Sequence, residues 1–223
     1  MNQIVTTAMT LARTDYGEAN RIVTMLTPDK GKLRLMAKGV RRNKSRLAGG
    51  IELFSISQIT YIPGRGEIGT LISARLITHF GTIVRNIDRT MFGYEVLKTL
   101  HKVTEDMADD EYFDLLKQTI TGLDKVELPL DALRLWFNMQ QVRLAGHSPN
   151  LRTDAEGAKL QAGETYSFST DDMTFVQGGQ YGTDHIKLLR LAIGLESPLA
   201  LAQITGIDTV MIDCLRLSEL MLL

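Results

Sequence analysis

The chain has 223 residues, with 25 Lys+Arg against 26 Asp+Glu, 44% apolar and 23% charged residues. That length holds one or two domains with a buried core, and the composition excludes disorder as the main state. One cysteine, Cys214, excludes an internal disulfide framework and a cysteine-cluster metal site; no long apolar run marks a membrane span, and Met1–Thr6 has no basic and apolar signal pattern, so a cytoplasmic protein is the expectation.

Strand-like runs separated by turn signals fill the first eighty residues. Ile4–Ala12 sets Val5, Met9 and Leu11 on one face, and Asp15-Tyr16-Gly17 follows as a turn. Ile22–Thr27 is β-branched and alternating, and Pro28-Asp29-Lys30-Gly31 is a turn cluster. Lys32–Lys38 places Leu33, Leu35 and Ala37 on one side. Lys32, Arg34, Met36 and Lys38 fall on the other, because side chains alternate along a strand. Ile51–Ile62, apolar on both faces, reads as a curved barrel strand, and Ile68–Leu76 closes the set. Five such strands suit a Greek-key barrel of the OB type, with an SH3-like barrel as the nearest competitor.

The rest is helical with one interruption. Thr82–Thr104 carries Ile83, Ile87, Met91, Tyr94 and Leu97 at helical spacing. An acidic stretch, 105–111, precedes a second helix over Tyr112–Leu123. A third runs from Pro129 to Ala145, with Gly146 as its stop and Pro149 beyond. In residues 150–182 glycines punctuate the pattern, and Thr165–Ser169 with Met173–Val176 predict a short hairpin. Helical spacing resumes over His185–Ile193, Ser197-Pro198 is a helix start, and a last helix aligns Ile207, Val210, Met211, Cys214, Leu217, Ser218 and Met221 on one side. The fold class is therefore α+β. A five-stranded barrel domain, 1–80, precedes a helical bundle domain, 81–223, interrupted by the 150–182 hairpin insertion.

Motifs for enzyme chemistry fail on context. Gly64-Arg65-Gly66-Glu67-Ile68-Gly69 matches G-x-G-x-x-G but leads into a strand, whereas a dinucleotide site needs it to open a helix. It reads as a hairpin tip. Asp171-Asp172 reads as a solvated turn, and Asp109-Asp110-Glu111 as a favourable helix start. His79, His101, His147 and His185 show no ligand or base spacing. Cys214 lies on an apolar helix face and reads as an inert thiol. With no nucleophile elbow and no P-loop, no enzyme activity, cofactor or metal is expected.

Charge is the informative signal. Residues 1–80 hold 12 Lys+Arg and 5 Asp+Glu, a net of +7, and the remainder carries −8. A half this basic is a candidate polyanion binder. Lys38-Gly39-Val40-Arg41-Arg42-Asn43-Lys44-Ser45-Arg46 has five cations and no acid, and the outward row Lys32, Arg34, Lys38 leads into it. Backbone phosphates need such a continuous track, with Arg able to grip two oxygens at once. Arg65 at the hairpin tip extends it. Phe54 and Tyr61 read as core rather than stacking platforms, so contacts to the sugar–phosphate chain are favoured over base reading.

The run Asp15-Tyr16-Gly17-Glu18-Ala19-Asn20-Arg21-Ile22-Val23-Thr24-Met25-Leu26-Thr27 resembles a signature of the bacterial recombination mediator family RecO. Gly31-Lys32, the Ala37–Arg46 segment, Phe137 and Gly146-His147-Ser148-Pro149 resemble further stretches of that family. The likeness is dense over 11–54 and sparse afterwards, and the order of elements fits the whole chain. It implies an OB-fold followed by a helical domain with a small inserted subdomain. It also implies binding of single- and double-stranded DNA, annealing of complementary strands, and help in loading RecA onto DNA coated by the single-stranded-DNA-binding protein SSB. RecR is the implied partner, RecF belongs to the same pathway, and a nucleoid-associated cytoplasmic location follows. The acidic SSB C-terminal tail is implied to dock on the helical domain, where Arg134 and Arg143 flanking Trp136 and Phe137 are the candidates. Many family members carry a four-cysteine zinc ribbon after the G-x-x-P stretch. Here Leu151–Gly157 occupies its start and no cysteine lies between 150 and 182, so a hairpin held by packing is expected instead. Two other readings stay open: a basic OB-fold interaction scaffold for an acidic protein, and an RNA-binding module without annealing activity.

Overall fold

The computed structural model describes residues 2–43, 45–104 and 110–222. It divides into two compact units, residues 1–124 and 125–223. The barrel and the two helices after it thus form one unit, whereas the sequence pattern changes from strands to helices at Phe80.

In the first unit five strands close a barrel in the order β1-β2-β3-β5-β4: β1 (Ile4–Tyr16), β2 (Asn20–Thr27), β3 (Gly31–Ala37), β4 (Ser55–Ile62) and β5 (Ile68–His79). All neighbours are antiparallel except β3 and β5. This is the OB arrangement, and it decides against the SH3-like alternative. Ala8, Val23, Met25, Leu35, Ala37, Ile59, Tyr61 and Leu71 fill the interior. The alternation expected along β3 holds, with Leu35 and Ala37 buried while Arg34 and Lys38 are exposed. On β1 the inward face is that of Ala8, not of Val5, Met9 and Leu11. Met9 and Leu11 are buried nonetheless, because the helix α1 (Ile87–Val103) packs on β1; Val5 is exposed.

The expected strand Ile51–Ile62 is shorter. A 3-10 turn, Ala48–Gly50, and Ile51 enter the barrel core first, and Phe54 turns the chain at φ 54° before β4 starts. The Phe54 ring packs beneath Tyr94 of α1, with centroids 5.4 Å apart. Gly93 makes room for it, since a Cβ there would lie 2.7 Å from the ring. Helix α1 starts on Asn86, whose side chain accepts from the Arg89 N–H. Its apolar residues divide: Phe92, Val96, Leu97 and Leu100 are buried, while Ile87, Met91 and Tyr94 are exposed. The second helix, α2 (Asp110–Asp124), has its C-terminal carbonyls capped by the buried Arg89 guanidinium, 3.0 Å from Leu123 O.

The second unit is built on α3 (Leu130–Leu144), which packs against α4 (Thr183–Gly194) and α5 (Asp208–Leu220). Gly146 ends α3 at φ 77°, as its place in the sequence implies. Carbonyls at the end of α4 receive Gln140 Nε2 (Ala192 O, 3.0 Å) and, just beyond, Trp136 Nε1 (Leu195 O, 2.8 Å). Ser197 caps a 3-10 turn, Pro198–Gln203, rather than an α-helix. Residues 150–182 form a three-stranded sheet, since β6 (Asn150–Asp154) adds in parallel to the expected hairpin of β7 (Tyr166–Ser169) and β8 (Thr174–Gln177). Its core is aromatic: Phe175 is met edge-on by Phe168 at 5.0 Å and by Tyr166 and Tyr181 at 6.2 Å.

Candidate nucleic-acid interface

Strand direction sorts the basic residues into two groups. β1, β3 and β5 run one way and β2 and β4 the other. The β1–β2 turn and the β3–β4 connection therefore share one end of the barrel, the loop end. The β2–β3 and β4–β5 turns share the opposite, hairpin end. Lys38, Arg41, Arg42 and Arg46 lie at the loop end, Lys32 and Arg65 at the hairpin end, and Arg34 two residues in from Lys32. The length of β3 separates the ends by about 20 Å, at roughly 3.3 Å per residue. Lys44 and the acidic residues 105–109 lie outside the described residues.

The two ends treat their cations differently. Lys32 aims its ammonium at the last turn of α1, donating to the carbonyl oxygens of His101 (3.0 Å) and Thr104. A cation there satisfies orphan carbonyls and complements the negative end of the helix. Lys32 is thus a structural cation, which corrects its expected place in an open row. Arg34 pairs with Glu67 at 3.1 Å. Arg65 is exposed at the tip of the β4–β5 hairpin, where Gly64 is required because a Cβ would fall 2.1 Å from Ile68 O. The G-x-G-x-x-G match is therefore a hairpin leading into β5. A cavity of about 220 Å³ beside it is lined by Lys32, Arg34, Leu35, Tyr61, Gly64 and Glu67, smaller than the usual ligand pocket. Arg65 does not extend the loop cluster, because a strand length lies between them.

At the loop end the basic segment is stitched to the β1–β2 turn. The Gly39 N–H donates to Asn20 Oδ1 at 2.8 Å, and the Arg41 N–H donates to Ala19 O at 3.0 Å. Hydrogen bonds from Arg42 N–H to Gly39 O and from Ser45 N–H to Arg42 O, both 3.1 Å, brace the described part of the segment. Lys38, Arg42 and Arg46 stand exposed, and none forms an ion pair with a described residue. Fixed backbone with free cations is the arrangement that holds a phosphate chain without reading bases.

Sequence reasoning missed three neighbours of this cluster. Arg21 stands opposite Asp15 across β1 and β2, and Arg21 Nε donates to Asp15 Oδ1 at 2.7 Å. Arg41 Nη1 reaches the second carboxylate oxygen at 3.3 Å and also Gly17 O. Arg21's hydrogen bond holds the Asp15 carboxyl below its ordinary range, against partial desolvation and aided by the charge of Arg41. The third neighbour is Tyr16, 56% exposed and without a ring partner among the described residues. An exposed ring beside free cations suits base stacking. The cross-strand register was the signal for Arg21, but it becomes visible only once the β1–β2 turn is placed at 17–19 rather than 15–17.

In the second unit the expected tail-docking residues do not come together. Trp136 and Phe137 are each 2% exposed and belong to the core. Arg134 and Arg143 are nine residues apart on α3, which at 100° per residue puts them on opposite sides of the helix. The burial of α3 on most of its circumference is set by its partners, not by its own pattern, so the sequence does not mark Trp136 and Phe137 as core. Phe54 and Tyr61 are buried as expected, and burial together with Asp29 raises the Tyr61 hydroxyl above its ordinary pKa. Cys214 is fully buried, and desolvation with the neighbouring Asp213 pushes its thiol up to about 12, which disfavours the thiolate. Asp172 accepts from Ser169 Oγ at 3.0 Å within its hairpin turn. No group of His, Cys, Asp and Glu among the described residues is arranged to hold a metal, and no described helix is long and apolar enough to cross a membrane.

Known proteins share this chain's pattern. The family model described as recombination protein O, N-terminal, matches residues 1–80. DNA repair protein RecO of Desulfatibacillum aliphaticivorans is 32% identical over 154 residues, covering 68% of this chain and 60% of that protein. DNA repair protein RecO of Halalkalibacterium halodurans is 36% identical over 138 residues, 61% of this chain and 54% of that one. That of Dehalococcoides mccartyi is 30% identical over 167 residues, 74% and 65%. The alignments thus span between about half and two thirds of these relatives' length. A family match over the whole barrel, relatives sharing one name, and a closed OB barrel with its helices in the expected order lead to one conclusion: the chain belongs to the RecO family.

Proposed function

We propose that the protein acts in DNA repair and recombination as a non-enzymatic mediator. It binds single- and double-stranded DNA through the loop end of its barrel and anneals complementary strands. It assists RecA loading onto SSB-coated DNA, in a pathway with RecR and, where present, RecF. The observation that carries this reading is the set Lys38, Arg42 and Arg46, exposed on a backbone pinned to the β1–β2 turn and free of ion pairs with described residues. Arg41, half-engaged by Asp15, completes the cluster. The relatives' shared name, DNA repair protein RecO, supports the same direction. Cations on such a scaffold grip phosphates at every position of a strand, so binding is sequence-tolerant and each neutralised phosphate releases counterions. Screening of two strands' charges on one surface is what annealing needs. Tyr16 supplies a ring for one unstacked base. SSB is proposed as a partner without an assigned docking residue.

The test is annealing of complementary oligonucleotides by the purified chain, with and without SSB, alongside binding at rising salt. A mediator accelerates annealing in both settings, and its DNA affinity falls steeply with salt. An acidic-protein scaffold leaves oligonucleotides unbound at low salt, and an RNA-binding module binds RNA without accelerating annealing.

A further inference from the structure

The pairing at Asp15 goes one step beyond a basic surface and rests on the DNA-binding reading above. Two guanidiniums from different segments, Arg21 on β2 and Arg41 on the basic loop, converge on opposite oxygens of one carboxylate, at 2.7 and 3.3 Å. All three side chains are open to solvent, with Arg21 31%, Arg41 38% and Asp15 51% exposed. Neither arginine is free to wander. Arg21 is fixed by the cross-strand register with Asp15, and Arg41 by its own N–H on Ala19 O and its guanidinium on Gly17 O. Two anchored arginines facing one small anion are the geometry in which a phosphate is gripped by forked donors. Here the anion is the chain's own.

We propose that Arg21 and Arg41 form a phosphodiester-binding site of the loop end, and that Asp15 is its resident occupant, displaced when nucleic acid binds. The exchange is feasible because an exposed ion pair contributes little, whereas a polynucleotide phosphate brings counterion release with it. The depressed Asp15 pKa agrees, since it reports a carboxylate held by cations at neutral pH. Asp15 then sets how much DNA affinity the barrel expresses: it competes with each incoming strand at one position, and so favours partners that engage the free cations Lys38, Arg42 and Arg46 at the same time.

The experiment measures binding of a labelled oligothymidylate to the full chain by fluorescence anisotropy across a salt series. Asp15→Asn should bind about three- to tenfold tighter, with a salt slope steeper by about one. Glu18→Gln removes the same charge from the neighbouring exposed turn and should stay within about twofold of the parent. In a background of Arg21→Gln with Arg41→Gln, the gain from Asp15→Asn should vanish. Asp15→Ser should repeat the result without a residual amide, and melting curves confirm folding of each variant. The proposal is overturned if Asp15→Asn binds as the parent does, if Glu18→Gln tightens binding equally, or if the gain survives loss of both arginines. A parent chain that binds with strong salt dependence alongside an unchanged Asp15→Asn sinks this site alone. Absence of binding by every variant in dilute buffer sinks the DNA-binding reading as well.

Discussion

The two ends of the barrel carry the same kinds of side chain and use them for different purposes. At the hairpin end Lys32 is bonded to the carbonyls that end α1, and Arg34 is held by Glu67. At the loop end Lys38, Arg42 and Arg46 have no such partner among the described residues. A cation already bonded to its own chain must break that contact before it can grip a phosphate, while a free one gives up only water and counterions. Net charge therefore does not define an interface. What defines it is a cluster of cations the fold leaves free, as with Lys38, Arg42 and Arg46, beside arginines held only by a solvent-open carboxylate, as at Asp15.

The strongest test compares the two ends directly. Replacing Arg41, Arg42 and Arg46 by Gln should weaken oligonucleotide binding about a hundredfold at low salt and flatten its salt slope, because about three phosphate contacts are lost. The matched change at the other end, Arg34→Gln with Arg65→Gln, should cost about threefold. Anisotropy titrations on both variants decide it, and equal losses would erase the distinction between the ends.

Next in size is Tyr16, which lies at the loop end only. Tyr16→Ala should weaken binding of single strands about tenfold, in line with one lost stacking contact of about 1–3 kcal/mol. Duplex binding should hold, since paired bases do not offer a face to the ring. A loss shared by single strands and duplex would mark Tyr16 as a support for the turn instead.

How far the sequence already showed these features depends on whether a residue's role is local. The β3 alternation and the Gly146 stop depend on the chain's immediate neighbours, and both were legible. The β2–β3 turn at Pro28–Lys30 was legible for the same reason. The fate of Lys32 was not, since its partners lie 69 and 72 residues away, in the last turn of α1 and just after it. Helix α1 shows the same limit. Its period is plain in the sequence, but Ile87, Met91 and Tyr94 share that period and are exposed, while Phe92, Val96 and Leu100 are buried. A heptad-like pattern says that a helix forms, and only the packing of Phe54 beneath Gly93 and Tyr94 says which side is used. The β6 strand was hidden because it is short, polar and joined in parallel to β8, with no turn chemistry to announce it. Trp136 and Phe137 misled in the opposite way, since α3 is covered on several sides at once.

Lys32 supplies a smaller effect of opposite character. Lys32→Met keeps the aliphatic stem and removes the donor, so it should cost about 1–2 kcal/mol of stability through the two carbonyls left at the end of α1. DNA affinity should change by no more than about twofold. Thermal or urea unfolding beside the anisotropy assay reads both quantities. A variant that keeps its stability but loses DNA binding would return Lys32 to the phosphate track.

The smallest effect concerns pH and belongs to the loop end. Asp15 has a folded-state pKa below its unfolded value, chiefly because of the Arg21 hydrogen bond and then the Arg41 charge. The ionised form is therefore the one the fold favours. Its contribution is fully present above the ordinary carboxylate range, near pH 4, and is lost as pH falls through the depressed folded value. The group is open to solvent, so the change is small. The melting temperature of the parent should exceed that of Asp15→Asn slightly at neutral pH, and the difference should close as the solution is acidified. A difference that stays constant down to low pH would mean that Asp15 acts on the turn through its shape rather than its charge, and the carboxylate would then have no claim to stand in for a phosphate.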